Sequence, residues 1–504
     1  MSAHDAEELP LVRHWIDGER WVGEVGRSMP VTNPATGRAE HLVQLASAAD
    51  VDDAVFAATQ AFGAWRETSL ARRAEILFRF RELLSTRRGE LAQIITAEHG
   101  KVLDDALGEI ARGLEVVEFA CGCGQLMRGG MTENASTGVD VYSIRQPLGP
   151  VAIIAPFNFP AMVPLWFFPI AIATGNTVLL KPSEKVPSAA VWLAELWREA
   201  GLPPGVFNVV HGDGAVSEQL IDHPGVKAIS FVGSTPVART VFERATGRGK
   251  RVQALGGAKN HLVVLDDADL DEAAVAAVNA AFGSAGERCM AISVLVAVES
   301  IADDLVARIA AQAGRLRIGD GRGDVDLGPL ISRDHRDRVA DYVRGGAEAG
   351  ATLVLDGRGV EVDGRGDGFW LGPSLLDHVT TEMQAYRDEI FGPVLSVVRV
   401  PSYDEAIRLV NASPFGNGTA IFTNDGAAAR RFQHEIEVGM VGINVPIPVP
   451  VPYYSFGGWK DSLFGDSHAY GEDGVRFFTR GKVITARWRQ NTRTAVDLGF
   501  PANT

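Results

Sequence analysis

The sequence predicts an α/β protein made of two parallel-sheet domains and a small β arm. Three observations predict it. A chain of 504 residues is too long for a single hydrophobic core. From about residue 150, short apolar segments alternate with helical ones, the pattern of a parallel sheet covered by helices, and a second such series begins near 262. Two strand-like pieces, 139–145 and 483–488, stand outside both series.

The elements follow in chain order. The first 120 residues read as helices after a short leading segment. Val51, Val55, Ala58 and Phe62 keep helical spacing, with Asp50 as N-cap, and Ile76, Leu77, Phe80, Leu83 and Leu84 form a second packing stripe. Strands are expected at 151–155, 178–180, 207–210 and 229–232. A helix over 189–200 stops at Gly201-Leu202-Pro203-Pro204. The second series runs 262–265, 294–298, 394–400, 419–422 and 441–445, with an alanine-rich helix over 270–282 leading toward Cys289. The stretch 357–367, rich in Gly, Asp and Arg, reads as a surface loop. The pieces 139–145 and 483–488 are expected to share a small sheet, a natural place for subunits to join.

Composition narrows the function. Hydrophobic residues make up 46% and charged residues 22%, the mix of a folded globular chain. The longest apolar run, 157–172, is broken by Pro160, Pro164 and Pro169, so no membrane span is expected. A net charge of −15 without a basic stripe argues against a nucleic-acid partner. An anionic substrate must therefore be met by a few placed cations. Residues 1–8 are acidic and lack the order of a secretory signal, and three cysteines are too few for a disulfide framework. A reducing cytoplasm is the expected location.

Individual segments carry weak chemical signals. Cys289 follows a helix and a small-residue loop, Gly283-Ser284-Ala285-Gly286, where backbone can approach a ligand, and Arg288 beside it favours a thiolate. An isolated cysteine is otherwise a small apolar core residue. Cys121 and Cys123 lack a second cluster, so core packing is expected and no metal. Asn158, just past a strand's carboxyl end, is placed to donate to a developing oxyanion, or is simply a turn asparagine. Lys181 and Glu184 end the next strand, where they can grip ribose hydroxyls; the carboxylate would repel a 2′-phosphate, which favours NAD over NADP. Gly233-Ser234 opens a strand-to-helix transition suited to a pyrophosphate. In Glu389-Ile390-Phe391, the carboxylate can accept from ribose and the ring can pack near a flat heterocycle.

Taken together and in this order, these segments resemble the aldehyde dehydrogenase superfamily across nearly the whole chain. Within it they are most similar to the CoA-acylating methylmalonate-semialdehyde dehydrogenases. The segments that carry this are Ala155-Pro156-Phe157-Asn158-Phe159-Pro160-Ala161-Met162, Gly257-Ala258-Lys259-Asn260-His261, Ala285-Gly286-Glu287-Arg288-Cys289-Met290-Ala291 and Asn444-Val445-Pro446-Ile447-Pro448-Val449-Pro450. The resemblance implies an NAD-binding domain over 1–130 and 150–255, a catalytic domain over 256–455, and an oligomerisation arm over 131–149 and 482–500, joining a dimer or tetramer.

The resemblance also implies a mechanism. Cys289 attacks an aldehyde, Asn158 and the backbone N–H of Cys289 hold the alkoxide, and a thioester remains on Cys289. Ala155, Phe157, Lys181, Glu184, Gly233, Ser234, Glu389 and Phe391 are the implied NAD contacts, and Arg112 and Arg288 the implied partners of a substrate carboxylate. A fork of guanidinium donors suits a carboxylate; the bland alternative for Arg112 is an ion pair with Glu109, Glu115 or Glu118 along its helix. Hydrolytic relatives carry a water-activating glutamate where this chain has Leu255, and sliding the alignment by one offers only Ala254. Thiolysis by CoA is therefore expected, although acylating relatives usually carry asparagine at that place. Ala238 stands where many relatives have glycine at or beside that position. In the family, decarboxylation follows acylation, so methylmalonate or malonate semialdehyde would give propionyl-CoA or acetyl-CoA. Two other readings stay open: a hydrolytic dehydrogenase of another anionic aldehyde, such as a sulfonated one, and a catalytically silent nucleotide-binding homologue.

Overall fold

Ser47 starts the first long helix, Ala48–Glu67: its side chain accepts from Asp50 N, and the Asp50 carboxylate accepts from Ser47 N. The N-cap is thus Ser47, and Asp50, predicted as the cap, sits one turn in and completes the box. Leu70–His99 follows, ends on Gly100 with φ 91, and is succeeded by Leu103–Cys121. The computed structural model describes residues 9–488 apart from 24, 363 and 365. Ahead of Ala48 lies a correction, since that segment forms short strands, among them Arg27–Asn33 and Arg38–Leu45. They escaped the sequence reading because several pair far away; Trp15 lies opposite Val209.

The first large sheet has five parallel strands at its centre, in spatial order Arg251–Leu255, Ala228–Val232, Pro150–Ile154, Thr177–Lys181, Phe207–Val209. Antiparallel pieces close both edges, Leu463–Phe464 on one side and Trp15–Ile16 with Glu19–Arg20 on the other, so the predicted parallel sheet is mixed at its margins. The chain leaves Pro150–Ile154 toward one edge and returns to build the other. That makes a switch point between Pro150–Ile154 and Ala228–Val232, where such sheets open a crevice at their carboxyl ends.

The second sheet runs Thr352–Leu355, Ser374–Asp377, Val394–Val400, Ile292–Val298, Asn260–Val264, Gly418–Phe422, Met440–Ile443, parallel except for the first. Its predicted strands all exist within a few residues, and the helix Leu270–Phe282 has the predicted bounds. A third, antiparallel sheet pairs Thr479–Arg487 with Val139–Pro147 and the latter with Met131–Ser136. The two isolated strand-like pieces do meet; residues 489–500 of the expected arm lie outside the described residues. The proline-broken apolar run becomes the helix Met162–Ala173, every residue of it buried in the first core. Among the described residues no helix is long and apolar enough to cross a membrane.

Candidate active site

The loop after Pro150–Ile154 is fastened from below by a buried ion pair. Lys101 Nζ lies 2.6 Å from Glu109 Oε2 and donates to the carbonyl of Asn158, also at 2.6 Å. The other Glu109 oxygen accepts from Ala161 N and Met162 N, at 3.0 and 3.2 Å, which anchors the start of the helix Met162–Ala173. Asn158 is 4% exposed, and its Nδ2 donates to the carbonyl of Glu287 at 3.0 Å. The loop carrying Asn158 is thereby tied to the loop carrying Cys289.

That second loop is made by the backbone. Beyond Phe282, Ser284, Ala285 and Gly286 have φ of 52, 52 and 72. Left-handed backbone costs a non-glycine residue about 1–2 kcal/mol, so contacts must hold it. Asp105 supplies two of them, accepting from Ser284 N at 2.9 Å and pairing with the Arg288 guanidinium. Gly286 has no alternative, because a Cβ there would run into the carbonyl of Gly392. The Cys289 thiol is pushed up to about 12, first by burial and then by the Glu389 carboxylate, while the N–H groups of Cys289 and Met290 and the charge of Arg288 pull the other way.

Cys289 faces two cavities at once. One, of about 280 Å³, lies at the switch point of the first sheet and is lined by Phe157, Asn158, Gly233, Ser234, Glu389 and Phe391 together with Cys289. The other, of about 370 Å³, is lined by Arg112, Arg288, Phe159, Trp166, Met290 and Phe456 together with Cys289. The thiol stands in the partition between them.

Of the expected cofactor contacts, Phe157, Gly233, Ser234, Glu389 and Phe391 therefore meet in the first cavity. Ser234 opens the helix Thr235–Thr246 without capping it by its own side chain, leaving first-turn N–H groups for an anion. Glu389 accepts from Ala258 N at 2.9 Å and is pushed up to about 7 by burial, against the charges of Lys259 and Arg338. Phe391 has φ 60, a strained setting for an aromatic residue, and its ring stands perpendicular to that of Phe157 at 5.9 Å. Ala155, Lys181 and Glu184 lie outside both cavities: Ala155 N donates to Lys181 O at 3.0 Å, and Lys181 pairs with Glu184 at 3.3 Å. Burial draws the Lys181 ammonium below its ordinary value.

Both arginines face the second cavity, and each already has an acid. Arg288 is held by Asp105, and Arg112 pairs with Glu115 at 3.0 Å across one helical turn. Glu109 is taken by Lys101 and Glu118 by Arg81, which leaves Glu115 as the helix partner among the three considered. Leu255 is 3% exposed and Ala254 fully buried, and neither lines either of these two cavities. Cys121 and Cys123 are buried, with burial raising their thiols to about 11 and 12.

Some residues that shape the site had no role in the sequence reading. Besides Lys101 and Glu109 they include Glu287, fully buried beneath the cysteine loop. It accepts from Ile331 N at 3.2 Å, has His335 at 3.4 Å and His99 at 3.8 Å, and is pushed up to about 8 by burial. The run Glu98-His99-Gly100-Lys101 held a signal, as three titratable residues ending an otherwise core-packing helix imply buried partners.

Parallel sheets with an uncapped helix start at the switch point and a cysteine beside it place the chain among two-domain α/β oxidoreductases. The family model "Aldehyde dehydrogenase family" matches residues 21–484, and the chain belongs to that family. It is 54% identical to a malonate-semialdehyde dehydrogenase of Pseudomonas aeruginosa, an alignment covering 98% of this chain and 100% of the other. It is 51% identical to malonate-semialdehyde dehydrogenase 2 of Bacillus anthracis, over 95% and 99% of the two chains. Among solved structures, a protein of Sinorhizobium meliloti 1021 assigned as a methylmalonate-semialdehyde dehydrogenase and complexed with NAD superposes with a TM-score of 0.95 at 49% identity, covering 96% and 99%. The methylmalonate-semialdehyde dehydrogenase of Oceanimonas doudoroffii gives 0.94 at 51% identity with the same coverage.

Proposed function

We propose that this protein oxidises malonate or methylmalonate semialdehyde with NAD as cofactor, and delivers the acyl group to CoA. The observation that carries the reading is Cys289 standing between a cavity at a dinucleotide switch point and a second one bearing two arginines. The activities named for the relatives support the substrate class.

The Cys289 thiolate forms a C–S bond to the aldehyde carbon, and the carbonyl pair becomes an alkoxide. Asn158 Nδ2 and the N–H of Cys289 are the donors for that oxygen, fixed in place before charge develops. Bound NAD supplies the acceptor for the hydride that leaves the captured carbon. The lining of the first cavity suits such a group: Gly233 and Ser234 would hold the diphosphate, Glu389 a ribose, and Phe157 and Phe391 the flat surfaces, while Ala155, Lys181 and Glu184, at the carboxyl ends of two neighbouring strands outside that cavity, would take a further flat surface and ribose. Glu184 disfavours a 2′-phosphate. Arg112 and Arg288 orient the substrate carboxylate. Its loss as carbon dioxide leaves an enolate on the thioester, which the same two donors stabilise and which then takes a proton. The CoA thiolate attacks the thioester carbon, the bond to Cys289 breaks, and the thiolate is regenerated.

CoA is favoured as acceptor because positions 254 and 255, where a water-activating base would stand, hold buried alanine and leucine. One observation favours a hydrolytic enzyme instead: Glu389, near neutrality at about 7, lines the same cavity as Cys289 and is a candidate base. In this reading residues 1–130 and 150–255 form the NAD-binding domain and 256–455 the catalytic domain. The arm, 131–149 and 482–500, joins copies into a dimer or tetramer in the cytoplasm.

The test is a panel of malonate, methylmalonate and succinate semialdehydes assayed with and without CoA, beside Cys289→Ala. NADH formation that depends on CoA, with acetyl-CoA or propionyl-CoA as product and none from Cys289→Ala, is expected. Full cycling without a thiol would reject the CoA step, and turnover by Cys289→Ala would reject the nucleophile.

A further inference from the structure

The carbonyl oxygen of Cys289 is gripped by two buried amides that come from neighbouring strand starts of the second sheet. Asn260 Nδ2 donates to it at 2.9 Å and to Ala291 O at 2.9 Å. Asn417 Nδ2 donates to it at 3.2 Å and to the Met290 sulfur at 3.0 Å. Both side chains are nearly excluded from solvent, at 2% and 5% exposure. Their orientation is dictated by the surroundings. Turning the Asn260 amide over would set its oxygen against two carbonyls and deprive Gly418 N of the acceptor it has at 3.1 Å.

We propose that Asn260 and Asn417 are positioning residues that make Cys289 a better nucleophile by holding and polarising its own peptide group. The peptide between Cys289 and Met290 is planar, so fixing its oxygen from two sides fixes the direction of the Met290 N–H on the opposite edge. The N–H groups of Cys289 and Met290 both act to lower the Cys289 thiol against its burial. A peptide whose oxygen accepts two hydrogen bonds is a stronger donor at nitrogen, because linked hydrogen bonds polarise one another. The two asparagines thus favour the thiolate without touching it. Opposing burial and the Glu389 charge, this is a device for supplying thiolate in a site that otherwise suppresses it. Asn417 also pins the Met290 side chain, which lines the arginine-bearing cavity, so nucleophile and substrate wall share one anchor.

The inference rests on the reading of Cys289 as the nucleophile, and the experiment separates the two. Iodoacetamide alkylation of the full-length protein is followed against pH, with the modified residue mapped by peptide mass spectrometry, for the wild type, Asn260→Ala, Asn417→Ala and the shape-conserving Asn417→Asp. Each lost hydrogen bond should slow alkylation of Cys289 at pH 7 by about threefold to tenfold. The rate–pH line should move to higher pH in parallel with that of the wild type, and NAD binding should stay within about twofold. Asn417→Asp, ionised and without N–H donors, should be at least as slow as Asn417→Ala. If Asn260→Ala does not fold, the two Asn417 variants decide alone, and an Asn417→Ser variant replaces either that fails. Unchanged pH profiles with lower kcat would overturn the inference and leave the asparagines as structural supports. Alkylation mapped elsewhere, with turnover surviving in Cys289→Ala, would mean that the nucleophile reading itself had failed.

Discussion

Cys289 works against its surroundings, and Glu389 is the part of them that can be tuned. Burial and the Glu389 charge both raise the thiol, and Glu389 itself titrates near 7. Above that pH the carboxylate is charged and opposes the thiolate; below it the group is neutral and the opposition fades. Glu389→Gln should therefore speed alkylation of Cys289, measured without cofactor, by about threefold to tenfold at pH 8, since one unit of pKa is tenfold in thiolate. At pH 6 the variant and the wild type should converge. Arg112 is the other residue whose role can be separated. Its pairing with Glu115 is solvent-exposed and worth only tenths of a kcal/mol. If it meets a substrate carboxylate instead, Arg112→Ala should raise KM for malonate semialdehyde about tenfold and for propanal less than twofold. Equal effects on the two aldehydes would make it a helix ion pair only. At this scale much of the site could be read from local context: Cys289, Asn158, Glu389 and Phe391 each sit in a loop beside a strand. Asn260, Asn417 and Lys101 could not be assigned roles that way. Their partners lie 29, 128 and 57 residues away, and no periodicity reports a contact made by folding.

The loop carrying the cysteine shows how an element stores cost and where the cost is met. Two left-handed non-glycine residues, a glycine with no room for a side chain and a buried Glu287 lie within four consecutive positions. Asp105 and the Asn158 amide hold the turn from outside. Glu287 is fully buried with one oxygen lacking a hydrogen bond, and its folded pKa of about 8 lies above the ordinary 4.5. Unfolded, the carboxyl ionises from about pH 4.5 upward; folded, it keeps its proton to about pH 8. The unfolded chain binds fewer protons across that window, so this group lowers stability as pH rises through it. Glu287→Gln keeps an acceptor for Ile331 N and removes the ionisation. It should stabilise the protein by about 4 kcal/mol at pH 8 and by under about 1 kcal/mol at pH 5, read as a melting-temperature difference that grows with pH. A variant no more stable at pH 8 than at pH 5 would show that the carboxyl is charged in the folded chain. The helix Leu270–Phe282 that leads into this loop was legible to the residue, because its cap, alanine content and stop are all local. The left-handed turn after it was not, since Ser284 and Ala285 have no intrinsic preference for that backbone.

Across the whole molecule, the two large sheets meet so that strand ends of the first face strand starts of the second, with Cys289 at the junction. The alternation of strands and helices announced the two sheets but not how they face each other, which is set by contacts between distant residues. The strands that pair in mixed directions at the sheet edges did not show, because an edge strand of two residues has no period. The third sheet stands apart from the two large ones. Thr479–Arg487 is an outer strand with no partner on its other edge among the described residues, and an edge of that length invites pairing with another chain. Register places Met131 and Ile484 on either side of Tyr142, and Ile144 opposite Lys482, so these four apolar residues share one face. Met131 is 68% and Ile144 38% exposed, more apolar surface than a small sheet needs to leave in water. If copies of the chain join through this arm, a second cation on that face, opposite Lys482, must be buried unpaired in the assembly, and it costs the separate chain only some tenths of a kcal/mol. Ile144→Arg should then weaken self-association tenfold or more. The shift should be visible as a lower mass by light scattering at micromolar protein, while the melting transition of the separated chain stays in place. Full retention of the wild-type mass would put the subunit contact on another surface.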